Sequence, residues 1–91
     1  MRLYDLVLVL KTSLSDAQRK KLLDDVRHKL VDVRIKEEEW GQKPMAYKIK
    51  QELAGFYHVM HLESEKGLDS ELDKRLRANE NILRHLLLRT K

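Results

Sequence analysis

Positions 3–10 read Leu-Tyr-Asp-Leu-Val-Leu-Val-Leu, apolar or aromatic everywhere except Asp5. A run this short and this rich in branched side chains predicts a strand, over residues 2–10. Apolar residues at nearly every position suit a central strand covered on both faces. The period then changes. Leu22, Leu23, Val26 and Leu30 recur at helical spacing, with Arg19, Lys20, Asp24 and Lys29 largely off that stripe. In front of them stands Ser15-Asp16-Ala17-Gln18, a capping box in which Ser15 caps and Gln18 reaches back. The spacing predicts a helix over 15–30. Val31, Val33 and Ile35 next alternate with Asp32, Arg34 and Lys36, and Met45, Tyr47 and Ile49 continue the alternation, so a long strand is expected over 32–49. Gly41 within it predicts a bulge, and Pro44, which has no ladder donor, puts this strand at a sheet edge.

Residues 50–54 read as a connection ending at Gly55. A strand over 56–63 follows, with Phe56, His58, Met60 and Leu62 on one face and Tyr57, Val59, His61 and Glu63 on the other. Leu68, Leu72 and Leu76 define a second helix over 68–79, with Asp69 and Glu71 at its positive end and Arg75 and Arg77 at its negative end. Asn79-Glu80-Asn81 is turn chemistry, and 82–90 is the last strand. The order βαββαβ is that of the split βαβ motif. It implies one α+β, ferredoxin-like domain over residues 1–91, with two helices on one face of a four-stranded antiparallel sheet. Right-handed crossovers place strands one and three centrally and strands two and four at the edges.

Composition narrows the function. The chain has 91 residues, too few to enclose a large active site with stability to spare. It has no cysteine, which excludes disulfides, thiolate zinc sites and cysteine nucleophiles and fits a reducing cytosol. The longest strictly apolar run is five residues, at 6–10, so no membrane span is expected. Asp5 interrupts the opening apolar stretch and no small-residue cleavage site follows, so the opening reads as mature structure of a cytoplasmic protein. Lys and Arg total 19 against 15 Asp and Glu. That excess is modest, but it is segregated: residues 40–50 carry Lys43, Lys48 and Lys50 with no acid, and residues 81–91 carry Arg84, Arg89 and Lys91 with no acid. Phosphates require several cations held together. Arg2, Arg84, Arg89 and Lys91 meet that requirement if strands one and four pair. Ordinary solubilising charge is the competing reading.

The sheet face away from the helices is the second candidate. If Tyr4, Leu6, Leu8 and Leu10 face the helices, Val7 and Val9 face away, joined by Tyr57, Val59, Leu86 and Leu88. That apolar patch, on a face no element of the chain is expected to cover, reads as a protein-partner surface; shielding by long side-chain stems is the alternative. Tyr57 alone is placed for base stacking in the manner of sheet-face RNA binders, and the Gly-Phe-x-Phe pattern they use is absent. His58 and His61 point to opposite faces and cannot share a metal; His58 and His85 fall on inward faces and need hydrogen-bond partners. Glu37-Glu38-Glu39 reads as a solvated edge. No nucleophile elbow, phosphate loop or dinucleotide fingerprint occurs, and Lys11-Thr12-Ser13 lacks the glycines of a phosphate cradle. No catalytic or metal site, cofactor or small-molecule substrate is expected.

Three segments carry a resemblance. They are Met1-Arg2-Leu3-Tyr4-Asp5, then Trp40-Gly41-Gln42-Lys43-Pro44-Met45-Ala46-Tyr47-Lys48-Ile49, and the closing stretch from Asn79 to Lys91. In order and spacing the chain resembles the family of bacterial small-subunit ribosomal protein number six, over essentially residues 2–91. The second segment departs from the family pattern at Pro44, at Met45 for the usual Leu, and at Lys48 where many members have Pro. The resemblance implies a ferredoxin-like scaffold that binds the central domain of 16S ribosomal RNA, as a heterodimer with ribosomal protein number eighteen. Carried over by position, Arg2, Tyr4, Arg84 and Arg89 match the family's basic and aromatic positions near the RNA. A regulatory or ligand-binding module that dimerises through its open sheet face is the alternative for the same pattern.

Overall fold

The computed structural model describes residues 2–49, 52–68 and 70–90. Its elements run β1 (Arg2–Leu10), α1 (Asp16–Lys29), β2 (Arg34–Ile49), β3 (Glu52–Ser64), α2 (Leu72–Ala78) and β4 (Ile82–Arg89). All strand pairs are antiparallel, in the order β2-β3-β1-β4. This is the predicted ferredoxin-like arrangement, with β1 and β3 central and the Pro44-bearing β2 at one edge.

The core forms because period two on the sheet meets period 3.6 on the helices. Leu6, Leu8 and Leu10 on β1 and Met60 and Leu62 on β3 face Leu22, Leu23, Val26 and Leu30 from α1 and its C-cap, with Leu72 and Leu76 from α2. Tyr4, Phe56 and Leu87 pack at its margin, so both helices lie on one face. The capping box is formed: the Gln18 amide donates to Ser15 Oγ, and the Ser15 amide donates to Gln18 Oε1.

Several boundaries move for local reasons. β2 starts at Arg34, because Asp32 has φ +59°, a left-handed conformation that ends an extended run. α2 starts at Leu72 because no side chain caps the segment before it, although Leu68 still packs on the core. Asp69, assigned to that helix by its sequence, lies outside the described residues. The β2–β3 hairpin is longer than expected: β3 begins at Glu52, which pairs with Ile49. The bulge falls where Gly41 predicts it. Glu39 pairs with His58 and Gly41, at φ +80°, pairs with Tyr57, which leaves Trp40 unpaired between them.

Polar ties bind the helices to the sheet edges. Arg27 on α1 donates through Nε and Nη2 to both carboxylate oxygens of Glu37 on β2, each at 2.7 Å. The buried His58 donates from Nε2 to the same carboxylate at 2.7 Å. Glu37 is therefore a hub of three elements, not the solvated edge residue its sequence context suggests. At the other edge His85 on β4 donates to Asp73 on α2 at 2.7 Å. Each inward histidine thus has a carboxylate partner for Nε2, while the buried Nδ1 of His58 has none among the described residues.

Replacing Leu6 with Ala removes a fully buried side chain and should cost about 2–5 kcal/mol in urea denaturation. The carboxylates also fix a pH dependence. The Arg27 hydrogen bond is the largest influence holding Glu37 below its ordinary 4.5, and the His85 hydrogen bond holds Asp73 below its ordinary 3.8. A depressed folded-state pKa gives stability that is present above the unfolded value and lost as pH falls through the folded one. Denaturation midpoints should therefore fall as pH drops below 4.5, and less so for Glu37→Gln, which starts lower at pH 7.

Candidate nucleic-acid and partner interface

Strand register decides which of the candidate residues meet. Tyr4 stands opposite Arg89 across the β1–β4 pair, and Arg2 is two residues from Tyr4, on the same face. The turn after β3 holds both β1 side chains. Ser64 Oγ donates to the Gly67 carbonyl at 2.8 Å, and Gly67 adopts φ +85°. A Cβ at Gly67 would lie 2.4 Å from Arg2 Nη1 and 3.4 Å from Tyr4 Oη, so a larger residue would displace them. Arg2, Tyr4 and Arg89 therefore form one group at one end of the sheet, with both arginines exposed.

Strands one and four do pair, yet Arg84 does not join that group. It sits opposite Val9, five residues along β1 from Tyr4 and on the other face. At strand rise that separation is about 17 Å. Arg84 instead donates from Nη1 to the Tyr47 hydroxyl at 2.9 Å, which ties the β2–β3 hairpin to the far edge strand. Lys91 lies outside the described residues.

The six expected partner-surface residues do share one face. Val9 is opposite Tyr57, and Val7 is opposite both Val59 and Leu86; Leu88 pairs with Asp5. The face is not uncovered, however. Val9 is 5% and Val59 3% exposed, against 42% for Leu86 and 48% for Leu88. At Val9 the cover is local: its side chain fills the space above Gly55 on β3, where a Cβ would stand 2.3 Å from Val9 Cγ1, with Met45 Sδ at 3.5 Å, and Tyr47 of the hairpin reaches across to Arg84. What stays open is the β4 half, at Leu86 and Leu88.

Asp5, Glu38 and His61 form a polar trio beside Leu88 that sequence reasoning missed. His61 donates from Nδ1 to Asp5 at 2.7 Å and from Nε2 to Glu38 at 2.6 Å. With both ring nitrogens donating, the imidazolium form is favoured. The Glu38 hydrogen bond first, and the Asp5 hydrogen bond second, raise the His61 pKa above its ordinary 6.5. The sequence signal for it is Asp5 itself, the one charged position in an apolar strand. Among the described residues no group of three or more His, Asp and Glu side chains could hold a metal ion, and no helix is long and apolar enough to cross a membrane.

Comparison with known proteins agrees with this geometry. The family model described as "Ribosomal protein S6" matches residues 3–89. The chain is similar to the small ribosomal subunit protein bS6 of Clostridioides difficile, 32% identical over 90 residues that span 97% of this chain and 98% of the relative. It is also 32% identical to the protein of that name from Porphyromonas gingivalis, over 98% of this chain and 79% of the relative. The crystal structure of 30S ribosomal protein S6 from Thermotoga maritima superposes with a TM-score of 0.86 at 25% identity, covering 97% of this chain and 86% of that one. With collinear motifs, strand order and near-complete coverage in agreement, the chain belongs to the ribosomal protein S6 family.

Proposed function

We propose that this protein is a structural, non-enzymatic constituent of the small ribosomal subunit, and so acts in the cytoplasm as part of the ribosome. In this reading it binds the central domain of 16S ribosomal RNA through Arg2, Tyr4, Arg84, Arg89 and Lys91. Ribosomal protein number eighteen docks on the sheet face that carries Val7, Val9, Tyr57, Val59, Leu86 and Leu88. The observation that carries the RNA reading is the Arg2–Tyr4–Arg89 group, in which two exposed cations flank an aromatic ring held by a turn. Phosphate contacts of this kind position a protein and make its binding salt-dependent. Leu86 and Leu88 carry the partner reading, since large apolar side chains left exposed side by side mark docking surfaces. Val9 and Val59 support that surface from beneath rather than touching the partner.

Changing Arg2, Arg84 and Arg89 together to Ala should leave the circular dichroism spectrum unchanged. It should weaken binding to a central-domain transcript, measured with the partner protein present, and lower the salt slope by about 0.7–0.9 for each phosphate no longer neutralised. Unchanged binding would remove the RNA assignment of these arginines. Leu88→Asp should abolish co-purification with the partner protein without unfolding the chain. A tight homodimer that ignores RNA in light scattering would instead return the alternative, a regulatory module dimerising through its sheet.

A further inference from the structure

Arg84 points away from the Arg2–Tyr4–Arg89 group, and its surroundings form a distinct surface. Gly41, Tyr57, Val9 and Arg84 stand in one row across all four strands. At strand spacing the row spans about 14 Å. Trp40, extruded by the bulge, stands at one end of that row, and Arg84 at the other. The hairpin arches between them and is fixed by the Tyr47–Arg84 hydrogen bond. Trp40 is 49% exposed, although an indole gains most by burial. The Lys43 ammonium lies over its ring, 5.3 Å from the centroid, which leaves the opposite face of the ring for another group. Lys48 is exposed, and residues 40–49 contain no acid; on either side of that segment stand Glu38, which accepts from His61, and Glu52, opposite Ile49 on the returning strand. The preceding Glu39 pairs with His58 in the helix-facing row, on the far side of the bulge.

An exposed aromatic face with one cation over it and another along the same hairpin is complementary to single-stranded nucleic acid. A base stacks on the ring, and flanking phosphates meet the cations. We propose that the outer end of the β2–β3 hairpin is a second RNA-binding site, in which Trp40 stacks an unpaired base and Lys43, Lys48 and Arg84 take the neighbouring phosphates. The proposal rests on the RNA-binding reading above and adds to it a site toward the other end of the strands from the Arg2 group. It differs from base stacking on the sheet face, because the ring lies on the hairpin and not over β1 and β3.

Trp40 is the only tryptophan in the chain, so its fluorescence reports this site alone. The protein with its ribosomal partner is titrated with a fluorescein-labelled central-domain transcript. Anisotropy reports binding anywhere, and indole emission, corrected with a Trp40→Phe sample, reports the hairpin. The expected result is quenching of Trp40 that saturates together with the anisotropy. Lys43→Ala with Lys48→Ala, two exposed positions that leave the fold intact, should lower the salt slope by about 1.4–1.8. Trp40→Ala should weaken binding about fivefold or more. Full anisotropy change with unquenched Trp40 and an unchanged salt slope would overturn the hairpin site and leave the RNA reading standing. Quenching by the partner protein before RNA is added, with none afterwards, would make the hairpin a protein-docking element and also overturn it. Absence of any anisotropy change would overturn both.

Discussion

Everything in this molecule hangs on the register of β1. The strand is hydrogen-bonded on both sides, to β3 and to β4, and its side chains serve two different surfaces. Leu6, Leu8 and Leu10 are fully buried against the helices, while Asp5, Val7 and Val9 point the other way. A slip of one residue would exchange the two sets and drive Asp5 into the core. The slip would also separate Tyr4 from the turn at Gly67 and Asp5 from His61. The same register that builds the core therefore assigns Arg89 to the Tyr4 end and Arg84 to the hairpin end.

A chain this small has little apolar area to hold its helices, and α2 spans only seven residues. Carboxylates at the two sheet edges supply part of the attachment. Glu37 joins α1 to β2 and β3, and Asp73 joins α2 to β4. In both cases the donor is a histidine or arginine whose charge or ring is partly withdrawn from water, where such hydrogen bonds gain strength. His58 and His85, awkward when viewed as isolated inward residues, become cross-links between layers.

The sequence shows what depends on local alternation and loses what depends on register. The six elements, the edge position of the Pro44 strand, the Gly41 bulge and the Ser15–Gln18 box each follow from a handful of neighbouring residues. The separation of Arg84 from Arg89 follows as well, since a spacing of five on one strand puts them on opposite faces. Which of the two stands beside Tyr4 does not, because it depends on the register of β1 against β4. The burial of Val9 escapes for a similar reason. Residues 50–54 read as a connection, yet Glu52 and Ala54 already pair with β2, while 50 and 51 lie outside the described residues. Glu37 looks solvated because its partners, Arg27 and His58, lie 10 and 21 residues away.

The two faces of the sheet are closed by different means, and that difference bears on how a partner can use the open one. The helix face is sealed mainly by aliphatic packing. The other is closed at Val9 and Val59, and its open half combines Leu86 and Leu88 with the Asp5–His61–Glu38 trio. A partner that covers Leu88 also withdraws water from Asp5, its neighbour across the strand pair. Burying a lone carboxylate would oppose docking strongly, whereas a carboxylate already hydrogen-bonded to an imidazolium loses far less. The trio thus keeps a charged residue compatible with an apolar docking face.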